Sequence, residues 1–229
     1  MLDMGDRKKA LLALTLLVPA ASIGIIAGLY IAPESWGQTL SVLCQVWLLI
    51  FPIAWSVFVD RKKLSLSLPK CQELLAGSIW GIFMFAVIVG IYSVFGQQWI
   101  DPVVAKEKSY QLGITSRNIY LIVEAYFVLV NSLIEEFTWR WFVCQKCQIL
   151  IPGTKAIFLS SLFFTIHHIF VIAAYSDWEA VLLGSLAVFT AAIIWSQSYL
   201  TYRSLWPSYL SHAIADFALA SIGWKILFN

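Results

Sequence analysis

Residues 118–147 read NIYLIVEAYFVLVNSLIEEFTWRWFVCQKC. Such a stretch is long enough to cross a hydrocarbon core of about 30 Å at about 1.5 Å per helical residue, yet it carries Glu124, Glu135, Glu136 and Arg140. A charge at the bilayer centre costs about 2.5 to 3.5 kcal/mol on insertion scales, so these groups must face protein or water if the segment spans. The flanking chain decides that it does. Uncharged runs occupy 11–32, 38–59 and 74–100, and further apolar runs occupy 156–176, 180–202 and 204–228. The first is longer than the 7 to 15 apolar residues of a signal peptide and reads as a retained anchor. An all-α, polytopic transmembrane bundle of about seven spans is expected, forming one integral membrane domain over 1–229. Residues 101–117 are polar enough to form an extramembrane loop with a short interfacial helix.

Composition agrees. Of 229 residues, 60% are hydrophobic and 12% charged, with a mean hydropathy of +0.81, whereas soluble domains carry about 25% charged residues. A water-soluble enzyme is excluded. Fifteen Lys and Arg against thirteen Asp and Glu give no continuous basic surface of the kind nucleic acid requires. If the N-terminus is cytoplasmic, the inner ends hold Arg7, Lys8, Lys9, Arg61, Lys62, Lys63, Lys70, Arg140, Lys146, Lys155 and Arg203, against Lys106, Lys108, Arg117 and Lys225 outside. The bias fixes that orientation for a multi-pass protein of a plasma or inner membrane. Trp36, Trp99, Trp178 and Trp206 fall at expected span ends, where interfacial anchors belong. Cys44, Cys71, Cys144 and Cys147 have no disulfide-framework spacing, and Cys144-Gln-Lys-Cys147 lacks the second pair that a structural zinc site needs.

Helical spacing sorts the anomalous charges. Glu136 and Arg140 are four apart, acid before base, and share a face as an ion pair. Glu135 sits about 100° round the helix and is free to meet other spans. Measured from the inner ends, Glu135, His167, His168, His212 and Asp216 lie about 12 to 20 Å deep on three different spans. One isolated histidine or one ion pair is commonly a structural group. Ionisable groups of three spans at one depth indicate a single buried polar site, read as opening toward the cytoplasm.

A carboxylate, imidazoles and a further acid around enclosed water suit amide hydrolysis. Glu135 serves as general base, His168 holds the water or relays its proton, and His212 with Asp216 faces the developing oxyanion. Ser160, Ser161, Ser208 and Ser211 lie near the histidines, but small hydroxyls are ordinary packing residues in membranes. One carboxylate with two imidazoles would also hold a catalytic zinc ion, although no H-E-x-x-H occurs. No other cofactor is expected.

Glu135-Glu136-Phe-Thr-Trp-Arg140 matches E-E-x-x-x-R, Phe164-Thr-Ile-His-His168 matches F-x-x-x-H, and His212-Ala-Ile-Ala-Asp216 matches H-x-x-x-(N/D). In this order the motifs resemble those of the CPBP family of CAAX proteases and bacteriocin-processing enzymes, also called Abi proteins, which includes the type II CAAX prenyl endopeptidases. The resemblance covers 118–228. It implies an intramembrane glutamic endopeptidase cleaving a peptide or membrane-protein substrate near the cytoplasmic face, with Glu135 and His168 activating water and the motif-three pair at the oxyanion. Two departures stand out. Phe163 with His167 also satisfies motif two, and Asp216 stands where the prenyl proteases carry Asn; an ionised Asp has no N–H to donate, so it would instead orient His212. The resemblance also admits a non-proteolytic scaffold that binds a regulatory membrane partner such as a sensor kinase. A proton-coupled carrier is the third class, against which stands the lack of an inverted repeat.

Overall fold

The computed structural model describes residues 4–33, 35–62 and 67–228; Lys63, assigned above to the inner side, lies outside them. Eight principal helices follow in chain order: α1 (Met4–Ile31), α2 (Trp36–Val59), α3 (Cys71–Gly96), α4 (Pro102–Gln111), α5 (Arg117–Leu150), α6 (Thr154–Ala173), α7 (Trp178–Tyr202) and α8 (Trp206–Phe228). Of these, α1, α2, α3, α5, α6 and α7 are long and apolar enough to cross a membrane. The expected seventh span, α8, has 23 residues but is less apolar because it carries His212, Asp216 and Lys225. The chain is a multi-pass helical membrane protein.

Local chemistry sets the helix ends. Asp101 caps α4 by accepting from the Val103 N–H at 2.8 Å, and Ser116 caps α5 by accepting from Ile119 at 3.3 Å; each satisfies a backbone donor that the first turn leaves free. Glu73 is buried at the start of α3, where its carboxylate accepts from the Lys70 N–H at 3.1 Å and from Ser204 Oγ at 3.0 Å. Gly153, at φ 81°, lets the chain reverse between α5 and α6.

Two glycine ridges hold the outer helices together. A Cβ at Gly24 would lie 2.9 Å from Cys44 Cβ, so α1 and α2 are in near-backbone contact. On the other side of the bundle, a Cβ at Gly77 would lie 2.8 Å from the Pro207 carbonyl oxygen, and one at Gly81 would lie 2.7 Å from Ile214. Gly24/Gly28 and Gly77/Gly81 each repeat at four residues, the small-xxx-small spacing that lets membrane helices approach closely. Between these pairs runs α5, touching α1, α2, α6, α7 and α8.

The bundle has two distinct ends. At one, Arg7 donates to the Leu150 carbonyl and Lys146 pairs with Asp60 at 2.5 Å. Arg7, Lys8, Lys9, Arg61, Lys62, Lys70, Lys155 and Arg203 are exposed there. At the other, Tyr30 Oη donates to the Phe170 carbonyl at 2.7 Å, Gln38 donates to Gln111, and Arg117 lies over Trp224. The core cluster is in the cationic half, built from Leu14, Leu17, Phe51, Phe142, Val143 and Phe164 among others.

Candidate active site

The backbone of α5 is not uniform where it carries the acids. It is α-helical over Ser132–Glu136, between π-helical stretches at Tyr126–Asn131 and Phe137–Cys144. Wide turns of this kind shift which side chains share a face and recur at functional sites. Here they frame Glu135 and Glu136 with one turn of ordinary helix.

The sequence-derived site residues converge. Glu136 is fully buried, with Oε2 3.3 Å from Arg140 Nε and Oε1 2.9 Å from His212 Nδ1. The other ring nitrogen of His212 lies 3.7 Å from Glu135 Oε2 and 3.5 Å from Asp216 Oδ2. His212 on α8 is thus enclosed by three carboxylates from two helices. The ligating atoms of Glu135, His167 and His168 lie within 4.8 Å of one another, which places both imidazoles of α6 beside the same carboxylate. Helices α5, α6 and α8 therefore share one site.

Hydrogen bonds assign some of the roles available to each ring. His168 Nδ1 lies 3.0 Å from the Phe164 carbonyl oxygen. A carbonyl only accepts, so Nδ1 carries the hydrogen and Nε2 presents a lone pair. His167 is buried and stacks on Trp139, with ring centroids 5.0 Å apart. The two histidines of the ambiguous second motif are therefore both near Glu135 but differently held.

Phe164 is the hub of an aromatic cage. Its ring meets Trp139, His167, Trp195 and His212 edge-on. The Arg140 guanidinium lies 4.3 Å from the Phe164 centroid and 5.2 Å from that of Trp195. Its two terminal nitrogens make no hydrogen bond, so Glu136 and the ring faces are what hold this buried cation.

Several groups at the site escaped the sequence reading. Asn131 Nδ2 donates to Glu135 Oε1 at 3.0 Å, and Ser132 Oγ donates to Asp216 Oδ2 at 2.6 Å. Asn131 sits four residues before Glu135, and this helical spacing was the signal that could have found it; Ser132 meets an acid of another helix, which no spacing in α5 marks. Trp195 on α7 stacks on His212 at 4.2 Å and donates to Ser211; no motif marks it. Cys144 and Cys147 are buried in the core of the cationic half, away from the acids.

A cavity of about 240 Å³ reaches Glu135 between the α1–α2 pair and α5, lined also by Ser41, Cys44, Gln45, Tyr126, Asn131 and His167. The cavity extends along α2 from Ser41 to Leu49 and along α5 from Tyr126 to Trp139; beyond it toward the cationic end, Arg140, Phe142, Val143 and Cys144 are buried to within 2%.

Residues 117–218 match the family described as Type II CAAX prenyl endopeptidase Rce1-like. This segment, a little under half of the chain, is similar to the Rce1-like family. The match takes in α5, α6, α7 and the first half of α8, hence all three motifs, and implies a peptidase set in a membrane. Comparisons with curated proteins and with solved structures return no match. In this segment Asp216 accepts from Ser132 Oγ, and its Oδ2 lies 3.5 Å from His212 Nε2.

Proposed function

We propose that the chain is an intramembrane glutamic endopeptidase in which Glu135, assisted by His168, activates water for attack on a peptide bond. The observation that carries this reading is a carboxylate lining an open cavity within reach of imidazoles from two other helices. In the first step the water oxygen bonds to the peptide carbonyl carbon while its proton passes to Glu135, and the His168 lone pair orients the water. The carbonyl oxygen becomes an oxyanion facing His212, whose Nδ1 is held by Glu136 and whose Nε2, 3.5 Å from Asp216, is the nitrogen left to donate to it. Asp216 orients and balances the donor rather than donating itself. Collapse of the tetrahedral species breaks the C–N bond, and Glu135 returns its proton to the leaving amine.

The protein would act as a single membrane domain on a peptide or membrane-protein substrate, with its N-terminus cytoplasmic, in a plasma or inner membrane. Peptidase assays on purified protein, comparing wild type with Glu135→Gln and His168→Ala, test the mechanism. Full activity in Glu135→Gln would remove the assigned base.

A second reading rests on the proximity of Glu135, His167 and His168, one carboxylate oxygen and two imidazole nitrogens within 4.8 Å of one another. This donor set fits zinc. These three residues would hold the ion, which would supply a bound water acidic enough to ionise near neutral pH. Activity lost on chelation and restored by zinc selects it over the metal-free mechanism.

A further inference from the structure

The two adjacent acids of α5 are committed to different degrees. Glu136 has both oxygens engaged, Oε2 at 3.3 Å from Arg140 Nε and Oε1 at 2.9 Å from His212 Nδ1. It is fully buried and does not line the cavity, so it cannot meet a water held there. Glu135 does line the cavity. Its Oε1 accepts from Asn131 Nδ2 at 3.0 Å, whereas its Oε2 lies 3.7 Å from His212 Nε2, beyond hydrogen-bond length. One oxygen of Glu135 is held and the other is open.

Local geometry makes Asn131 the holder. Helical side chains lean toward the N-terminal turn, so Glu135 reaches back over the residue four before it. Asn131 ends a π-helical stretch, and the ordinary turn that follows, Ser132–Glu136, restores the four-residue register between the two side chains. The amide can face an ionised carboxylate only through its nitrogen, because its own oxygen is a second acceptor. Asn131 also lines the cavity, so amide and carboxylate stand side by side in the wall that a substrate meets.

We propose that Asn131 is a positioning residue for the catalytic carboxylate: by donating to Oε1 it commits that oxygen and reserves Oε2, the one nearest His212, as the atom that takes the proton of the attacking water. The proposal rests on the peptidase reading and deepens it by naming the reacting oxygen. As the water oxygen bonds to the carbonyl carbon, its proton bonds to Oε2. Oε1 is then the carbonyl oxygen of a neutral acid and still accepts from Asn131, so the group keeps its orientation until Oε2 releases the proton to the leaving amine. Oε2 and His212 Nε2 stand side by side at 3.7 Å, one at the attacking oxygen and the other at the developing oxyanion. Without the Asn131 donor, the terminal torsion of Glu135, which has only a broad preference of its own, no longer selects which oxygen faces the water.

The test separates the donor from the shape. Asn131→Asp keeps the outline but replaces the N–H by an acceptor, Asn131→Leu removes the polar group, and Asn131→Gln returns an N–H on a longer arm. The purified full chain is given a pooled library of fluorogenic membrane-anchored peptides, and kcat and KM are measured on a member that the wild type cleaves. In Asn131→Asp and Asn131→Leu, kcat should fall by about 10- to 100-fold, the scale of a misplaced reacting group, with KM and the unfolding midpoint unchanged; Asn131→Gln should recover most of the loss. Wild-type kcat in Asn131→Asp or Asn131→Leu overturns the proposal, as does a loss carried by KM or an Asn131→Gln as slow as Asn131→Leu. A second measurement needs no turnover: the infrared difference between each form and the same form carrying Glu135→Gln isolates the Glu135 carboxyl band. That band should shift in Asn131→Leu and return toward its wild-type position in Asn131→Gln, and a band that stays in place overturns the proposal. A library left uncut by the wild type, with the band shifting as expected, would refute the peptidase reading alone.

Discussion

The two halves of α5 have opposite surroundings. From Arg117 to Asn131, Tyr120 is the one buried residue, and the helix turns toward open cleft and lipid. From Ser132 to Cys147, Glu136, Arg140 and Lys146 are all buried, each with a counter-charge. One half thus leaves room for a ligand, and the other converts charged residues into scaffold. The catalytic candidate Glu135 lies at the junction, half-buried, with neighbours of both kinds.

The largest effect is expected at that junction. Glu135→Gln keeps the shape and an acceptor for Asn131 but removes the base, and should lower peptidase activity by about 10²- to 10⁴-fold, the usual worth of general-base catalysis, with an unchanged melting temperature in detergent. Retained activity would place the junction in the scaffold half.

Next comes Arg140→Ala, which leaves Glu136 buried without its cation. Loss of one partner of a buried pair costs about 3 to 5 kcal/mol, so reduced folded yield and a lower unfolding midpoint are expected. A variant as stable as wild type would show that Glu136 is held by His212 alone.

The two histidines of α6 should differ. His168→Ala removes the lone pair aimed by the Phe164 carbonyl and should reduce kcat by about 10²-fold, the lower end of the range for acid–base groups. His167→Ala, which empties the stack on Trp139, should fall mainly on stability. If turnover falls equally in both at constant stability, both rings ligate or relay, which is the pattern a metal would give.

The smallest effect is expected in the open half. Gln45→Leu removes one neutral hydrogen bond to substrate, worth about 0.5 to 1.5 kcal/mol, and should raise KM about two- to tenfold with kcat unchanged. A change in kcat instead would bring Gln45 into contact with the reacting atoms.

Much of this arrangement was legible in the sequence, for identifiable reasons. Uncharged runs such as 11–32 and 38–59 can only be buried in lipid, so the helices were readable, although α3 begins at Cys71 rather than at 74 and α6 ends at Ala173 rather than at 176. The i, i+4 spacing of Glu136 and Arg140 carried their pairing. The π-helical turns around Ser132–Glu136 left no readable trace, because they depend on what α5 packs against. Trp195 was invisible for the same reason: an aromatic residue on an apolar span looks like any other. Which side of the site is open is not written in the sequence, because depth along separate helices carries no information about the packing between them.

The near-backbone contact at Gly24 has a mechanical consequence. With no side chain at the crossing to act as a bearing, α2 is denied independent sliding along α1, and the pair moves as one leaf. That leaf is fastened at its cationic edge, where α1 meets the last turns of α5 and Lys146 grips Asp60. Tyr30 and Gln38 tie the same leaf to its neighbours at the opposite edge, so any widening of the passage to Glu135 bows the leaf between two fastened ends rather than swinging it about one.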